Sequence, residues 1–171
     1  DAGGSIDFEV ATTGFGVLFE HMLGGASIAQ QGGTTAYLHT YTPGSLLGKA
    51  LTIQKGVEKI DGTVQPFTYV GCKIPEWEFS IDQDGVLRLS IGVDAREEKT
   101  GTALASLSTP NPKVFHYAQG VLKVESATIA NVLSVPSIKG VNNFKVDRYH
   151  LGNAGLKSEP INRPFDELSG S

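Results

Sequence analysis

A chain of 171 residues, 40% apolar and 19% charged, fits one domain with enough core to fold without metal or disulfide staples; its charged share falls short of the ~25% of an ordinary soluble domain. Fourteen bases against eighteen acids give a net charge of −4, which argues against a surface that grips phosphate backbones by attraction. The single cysteine, Cys72, excludes an internal disulfide. No glycosylation sequon or cleavable apolar leader is found, and the uncharged stretch 21–48 is broken by Pro43, glutamines and glycines, so a soluble chain of intracellular origin is expected.

Residues 5–13 alternate Ile6, Phe8 and Val10 with Asp7, Glu9 and Ala11, the period-2 pattern of a strand with one buried face. Thr13 or Gly14 then caps a short amphipathic helix at about 14–23, in which Phe15, Leu18, Phe19, Met22 and Leu23 recur at three- and four-residue spacing until Gly24-Gly25 stops it. A helix this short is not stable alone, so its apolar face must lie on a sheet. Strands are expected at 35–42, with Tyr37, His39 and Tyr41 on one face, at 50–58 and at 65–73, with turns at Pro43-Gly44 and Asp61-Gly62.

The clearest unit spans residues 76–94. Trp77, Phe79 and Ile81 alternate with Glu76, Glu78, Ser80 and Asp82; after the Gln83-Asp84-Gly85 turn, Leu87, Leu89, Ile91 and Val93 alternate with Arg88, Ser90, Gly92 and Asp94. This is a β-hairpin with one apolar face and one polar face rich in acid. Residues 97–113 read as a long loop, functional or mobile, and strands resume at 114–117, 121–125 and about 130–139. From 148 to 171 the chain is too polar and too broken to form its own core and reads as an arm lying on something. The expected fold is therefore mainly β: an antiparallel β-sandwich or open barrel over residues 1–147, with one short flanking α-helix, extended loops and a C-terminal arm over 148–171.

Lysine and arginine are absent before Lys49, whereas Asp1, Asp7, Glu9 and Glu20 precede it. Random placement leaves such a gap with a chance of about 2%, so either one acidic end fits a basic neighbour or the charges are simply solvated.

Tests for chemistry return little. Neither a P-loop nor a complete dinucleotide fingerprint is present, the four histidines are scattered, and Cys72 lacks a partner at metal-ligand spacing, so no catalytic residue, cofactor or metal is expected. Cys72 reads as a packed side chain. Glu76 and Glu78 lie about 7 Å apart on one strand face, a spacing compatible with two-carboxylate hydrolysis and equally with a solvated strand. A second alternative is a monomeric sandwich that stacks a glycan or peptide on Tyr37, Tyr41, Tyr69 and Trp77.

Five strings together carry more information than any motif: GSIDFEVATTGFGVLFEHMLGG at 4–25, TYTPGSLLGKALTIQK at 40–55, PFTYVGCKIPEWEFSIDQDGVLRLSIGVDAR at 66–96, VFHYAQG at 114–120 and DRYHLGNAGLKSEP at 147–160. In order and spacing they resemble the tail tube protein of long-tailed, non-contractile (siphophage-type) bacteriophages. The chain departs from that pattern at its ends: it begins without methionine and stops at Ser171 where further arm is expected.

The resemblance implies a structural virion protein, made in the host cytoplasm, whose sandwiches close into six-fold rings stacked as a hollow tube. Its partners would be tail-end proteins such as distal tail, tape measure and terminator proteins, with DNA passing through the lumen unbound and no membrane involved. Glu76, Glu78, Ser80, Asp82, Ser90 and Asp94 are then candidates for the lumen wall, against an ordinary solvated or exterior face. Pro43, Gly44, Asp61, Gly62, Lys99, Pro110, Arg148 and Tyr149 are candidates for ring-to-ring contact.

Overall fold

A computed structural model describes residues 2–108, 112–145, 149, 151–152 and 161–162. Among the described residues the protein is mainly β, with antiparallel sheets and one α-helix arranged as an open sandwich. The principal sheet has the order β1-β7-β6-β11, built from β1 (Ala2–Glu9), β7 (Arg88–Ala95), β6 (Glu76–Ile81) and β11 (Val135–Val141). Its core is the expected hairpin, paired Trp77 to Ile91 and Phe79 to Leu89. β1 adds to one side with Ile6 opposite Ile91 and Phe8 opposite Leu89, so the apolar residues of three strands share a face.

α1 (Gly16–Leu23) lies on that face. Val10, Met22, Ile74, Leu89 and Ile91 form the buried centre, ringed by Phe8, Phe15, Phe19, Trp77 and Phe79. Phe15 meets Phe8 edge-on at 5.6 Å between ring centroids, and Phe19 reaches Phe79 at 5.8 Å. The helix starts later than expected. Phe15 is its N-cap without a side-chain cap bond, because Gly14, at φ +88, turns the chain and packing of Phe15 on Phe8 replaces the cap. β1 likewise ends at Glu9: Val10 is fully buried and Ala11 already bridges to Val114.

The helix runs straight into β2 (Gly24–Gln30), which pairs with β3 (Tyr37–Pro43) as a two-stranded ribbon. Only the second of these strands was expected, since residues 24–30 are small and polar and carry no clear alternation. Gly24 makes the change of direction possible: it sits at φ +95, and a Cβ there would overlap the Gly44 carbonyl.

A second sheet has the order β4-β5-β8, from β4 (Leu51–Glu58), β5 (Val64–Cys72) and β8 (Glu97–Lys99). The strand Glu97–Lys99 falls inside the segment expected to be a loop, and its register, Val70 opposite Glu97, continues the chain from β7. The remainder of that segment is tethered. Gln54 donates to the Ala103 carbonyl and accepts from the Ala105 amide, while Gln65 donates to the Thr100 carbonyl. The two sheets meet where Lys73 and Asp94 exchange backbone bonds of 2.8 and 3.0 Å, and they part on the β1/β4 side around a cleft of about 410 Å³.

Lys73 is buried, and its ammonium donates to the carbonyls of Leu46 (3.1 Å) and Lys49. It thereby fixes the loop after β3, with Leu46 buried and Leu47 exposed. Lys73→Met leaves those carbonyls without the donor, and a loss of about 3 kcal/mol in unfolding free energy is expected by urea titration. A loss under about 0.5 kcal/mol would show that water replaces the ammonium.

Residues 114–125 differ from the two strands expected. Val114 and His116 make single bridges, Tyr117–Gln119 is a 3-10 turn, and only β9 (Lys123–Val124) with β10 (Ala127–Thr128) forms a short pair. The His116 side chain accepts from the Ala118 amide and Gln119 accepts from the His116 amide, a local capping arrangement that outcompetes a ladder. Finally β12 (Phe144–Lys145) pairs with β13 (Ile161–Asn162). Pro110 and Arg148 lie outside the described residues.

Candidate functional site: an acidic sheet face between two open edges

The principal sheet turns its second face away from the helix. Register assembles that face in rows: Asp7, Ser90, Glu78 and Lys139 lie side by side across β1, β7, β6 and β11, and Glu9, Arg88 and Ser80 form the next row. Toward the other end, Ser5 faces Gly92 and Gly3 faces Asp94. A Cβ at Gly92 would stand 2.9 Å from Cγ of Glu76, so the missing side chain makes room for that carboxylate.

Five of the six residues expected on one polar face are therefore together: Glu76, Glu78, Ser80, Ser90 and Asp94. Asp82 lies past the end of β6, its carbonyl accepting from the Gly85 amide in the turn. Asp7 and Glu9 on β1 and Lys139 on β11 also join the face. The alternation around Asp7 and Glu9 was visible in the sequence, but not which sheet they would enter. In total the face carries carboxylates Asp7, Glu9, Glu76, Glu78 and Asp94 against Arg88 and Lys139, a surplus of acid.

Glu78 is held by two neighbours on β11. The Ser137 hydroxyl and then the Lys139 ammonium, 3.0 Å away, hold its carboxyl below the usual carboxylate range. The contribution of this group is present above its ordinary pKa and is lost as pH falls through the lowered value. A lowered pKa is the opposite of what a general acid needs, so the two-carboxylate hydrolysis reading loses its proton donor at Glu78.

Both outer strands of the sheet, β1 and β11, lack a neighbour on their free side among the described residues. Unpaired edges of seven or eight residues invite another chain.

The aromatic side chains of the stacking alternative are dispersed. Trp77 packs edge-on to Phe79 and covers Gly140, where a Cβ would overlap the indole. Tyr41 packs on Phe19, Tyr69 lines the cleft between the sheets, and Tyr37 stands on the ribbon.

The ring-contact candidates are also spread. Pro43 and Gly44 form the base of the ribbon, Gly44 pressed against Gly24. Asp61 and Gly62 form the tip of the β4–β5 hairpin, where Asp61 accepts from the Thr63 hydroxyl and amide and is held below its usual pKa by them. Lys99 lies opposite Thr68, well back from that tip, and pairs with Glu97 at 3.6 Å. Tyr149 is exposed.

Cys72 is buried, its thiol donates to the Tyr69 carbonyl at 3.3 Å, and burial pushes its pKa to about 11 from 9.0. A raised thiol pKa means stability is intact below pH 9 and lost as pH rises through 11. An alkaline loss of about 2 kcal/mol over that window is expected, flattened in Cys72→Ala, with thiol reagents reacting only on unfolding. Labelling of the native protein at pH 8 would contradict this. Among the described residues no three metal-ligating side chains gather.

The family comparison decides what kind of protein carries this face. A family model described as phage tail tube protein matches residues 1–164. The chain belongs to the phage tail tube protein family. A comparison with curated proteins gives no match. This tail tube protein is accordingly a structural component of the virion tail, in a family of structural proteins rather than enzymes, and it self-assembles into a tube with other tail proteins.

Proposed function

We propose that six copies of this tail tube protein close into a ring through the open edges of the principal sheet, and that rings stack into a siphophage-type tube whose lumen conducts viral DNA. The observation that carries this reading is the pair of unpaired edge strands flanking a sheet with one apolar and one acidic face. β11 runs antiparallel to β1, so the β1 edge of one copy meets the β11 edge of the next in an antiparallel ladder, the two strands being far apart within each copy. Closing the sheet this way removes both edges, and the helix side stays outward.

The inward face is then the acidic one, lined by Glu76, Glu78, Ser80, Ser90 and Asp94 with Asp7 and Glu9 beside them, and Asp82 at its margin. Carboxylates and hydroxyls repel or ignore a phosphate chain where lysines would hold it, so DNA slides through. Pro43, Gly44, Asp61, Gly62, Lys99, Pro110, Arg148 and Tyr149 serve ring stacking, residues 148–171 act as an arm on the 1–147 sandwich, and distal tail, tape measure and terminator proteins occupy the tube ends. The host cytoplasm is the place of synthesis. Negative-stain microscopy of the purified protein tests the reading: rings or tubes with six-fold end views support it, and a monomer persisting at high concentration and binding glycan would replace it with the monomeric module.

A further inference from the structure

The β2–β3 ribbon has a property that the principal sheet does not explain. Residues 24–43 contain no charged side chain, in a chain that is 19% charged. At its base the face bearing Ala26 and Tyr41 is anchored, Tyr41 packing on Phe19 of the helix at 5.3 Å. The same face continues outward with Ile28 opposite His39 and Gln30 opposite Tyr37, and Ile28 and Tyr37 are 62% and 56% exposed. A two-stranded ribbon is marginal in water by itself, and an uncharged one that exposes Ile28, Tyr37 and Leu38 is an aggregation hazard unless something covers it.

A second segment without charged residues is 126–138, in which Ile129, Leu133 and Ile138 are exposed, Leu133 at 66%, and its Thr128 end faces a base, Lys123. It borders an apolar groove of about 380 Å³ floored by Phe79, Leu87 and Ile138. Three of the polar side chains at the groove are engaged: the Tyr117 hydroxyl donates to the Val132 carbonyl, and His116 and Gln119 cap the 3-10 turn. With Ser80 and Ser134 as the other polar side chains of a mostly aliphatic and aromatic lining, the groove offers chiefly apolar cover. By contrast the β4–β5 hairpin is charged around its tip, with Lys55, Glu58, Lys59 and Asp61.

We infer that the Ile28–Tyr37 face of one copy lies on the 126–138 strip and its groove in an adjacent copy. This rests on the tube reading and names the surfaces that it leaves open. The occupant is a second copy because the family self-assembles and because an uncharged partner covers the exposed Ile28 and Tyr37 of this uncharged ribbon without stranding a charge. Two different patches of one chain in contact make a heterologous interface, the kind that builds rings and stacks.

Cysteines at Ile28 and Leu133 test it, since buried Cys72 does not compete for reagent. With a short bismaleimide, the double variant Ile28→Cys/Leu133→Cys assembled into tubes is expected to give a ladder of crosslinked multimers, and each single variant almost none. Normal tubes without a ladder, or dimers from either single variant as abundant as the ladder, would overturn the inference while leaving the tube intact. Absence of tubes from the unsubstituted protein would instead sink the tube reading. As a second measurement, Ile28→Lys and Leu133→Glu are each expected to lower tube yield at least tenfold and in combination to restore most of it; no rescue, with both variants folded by circular dichroism, also overturns the pairing.

Discussion

Glu78→Lys combined with Ser90→Lys is expected to leave tubes intact yet slow genome ejection at least tenfold at low ionic strength. The four residues Asp7, Ser90, Glu78 and Lys139 lie in one row across the sheet, so the double variant makes that row three lysines to one aspartate in every copy. In the proposed closed ring the repeated row would become a basic hoop. Each lysine within ~4 Å of a passing phosphate gains about 1–4 kcal/mol, depending on how much water remains between them. On the proposed reading of this face as the lumen wall, such a hoop would hold DNA that the native face lets slide.

Salt should weaken the block, because the attraction is screened and because counterions compete for phosphate. Glu78→Gln alone separates the roles, since it removes the ion pair with Lys139 without adding a cation. If ejection by the double variant matches the native rate at all salt concentrations, the acidic face lies on the tube exterior. Tubes that fail to form with Glu78→Gln would instead assign the Glu78–Lys139 pair to holding β11 in the sheet.

The largest single-residue loss of stability is expected from Gly24→Val, at about 3 kcal/mol or more and a melting temperature lower by roughly 10 °C. Two effects add there. The backbone at φ +95 is a conformation that a β-branched residue adopts only under strain, and any Cβ overlaps the Gly44 carbonyl where the chain enters and leaves the ribbon. Gly33 isolates the first effect. It too has a positive φ, of +72, but a Cβ there meets nothing within 4 Å, so Gly33→Ala is expected to cost about 1 kcal/mol. Equal losses at the two positions, read from urea unfolding of the free subunit, would show that the crossing of residues 24 and 44 relaxes freely. Because the overlap displaces the ribbon, Gly24→Val is also expected to impair assembly, whereas Gly33→Ala is not.

The sequence by itself determined which residues share a face within each element. Strict alternation in residues 76–94 gives the hairpin, its apolar and acidic sides, and the place of Trp77 on the core side; the three- and four-residue spacing of Phe15, Phe19 and Met22 gives the helix and its buried stripe. The joint order of the five strings was enough to point to the tail tube family, which the family model supports over residues 1–164. Only the tertiary structure decided which strands are neighbours. Asp7 and Glu9 reach the acidic face because β1 pairs with β7 some eighty positions away, and Lys139 reaches Glu78 because β11 pairs with β6. A period of two fixes the direction of each side chain but not the strand beside it, since pairing is settled by packing across long sequence separations. Likewise β2 and β8 are too short of apolar alternation to be legible, and they exist because β3 and β5 offer them hydrogen-bonding edges.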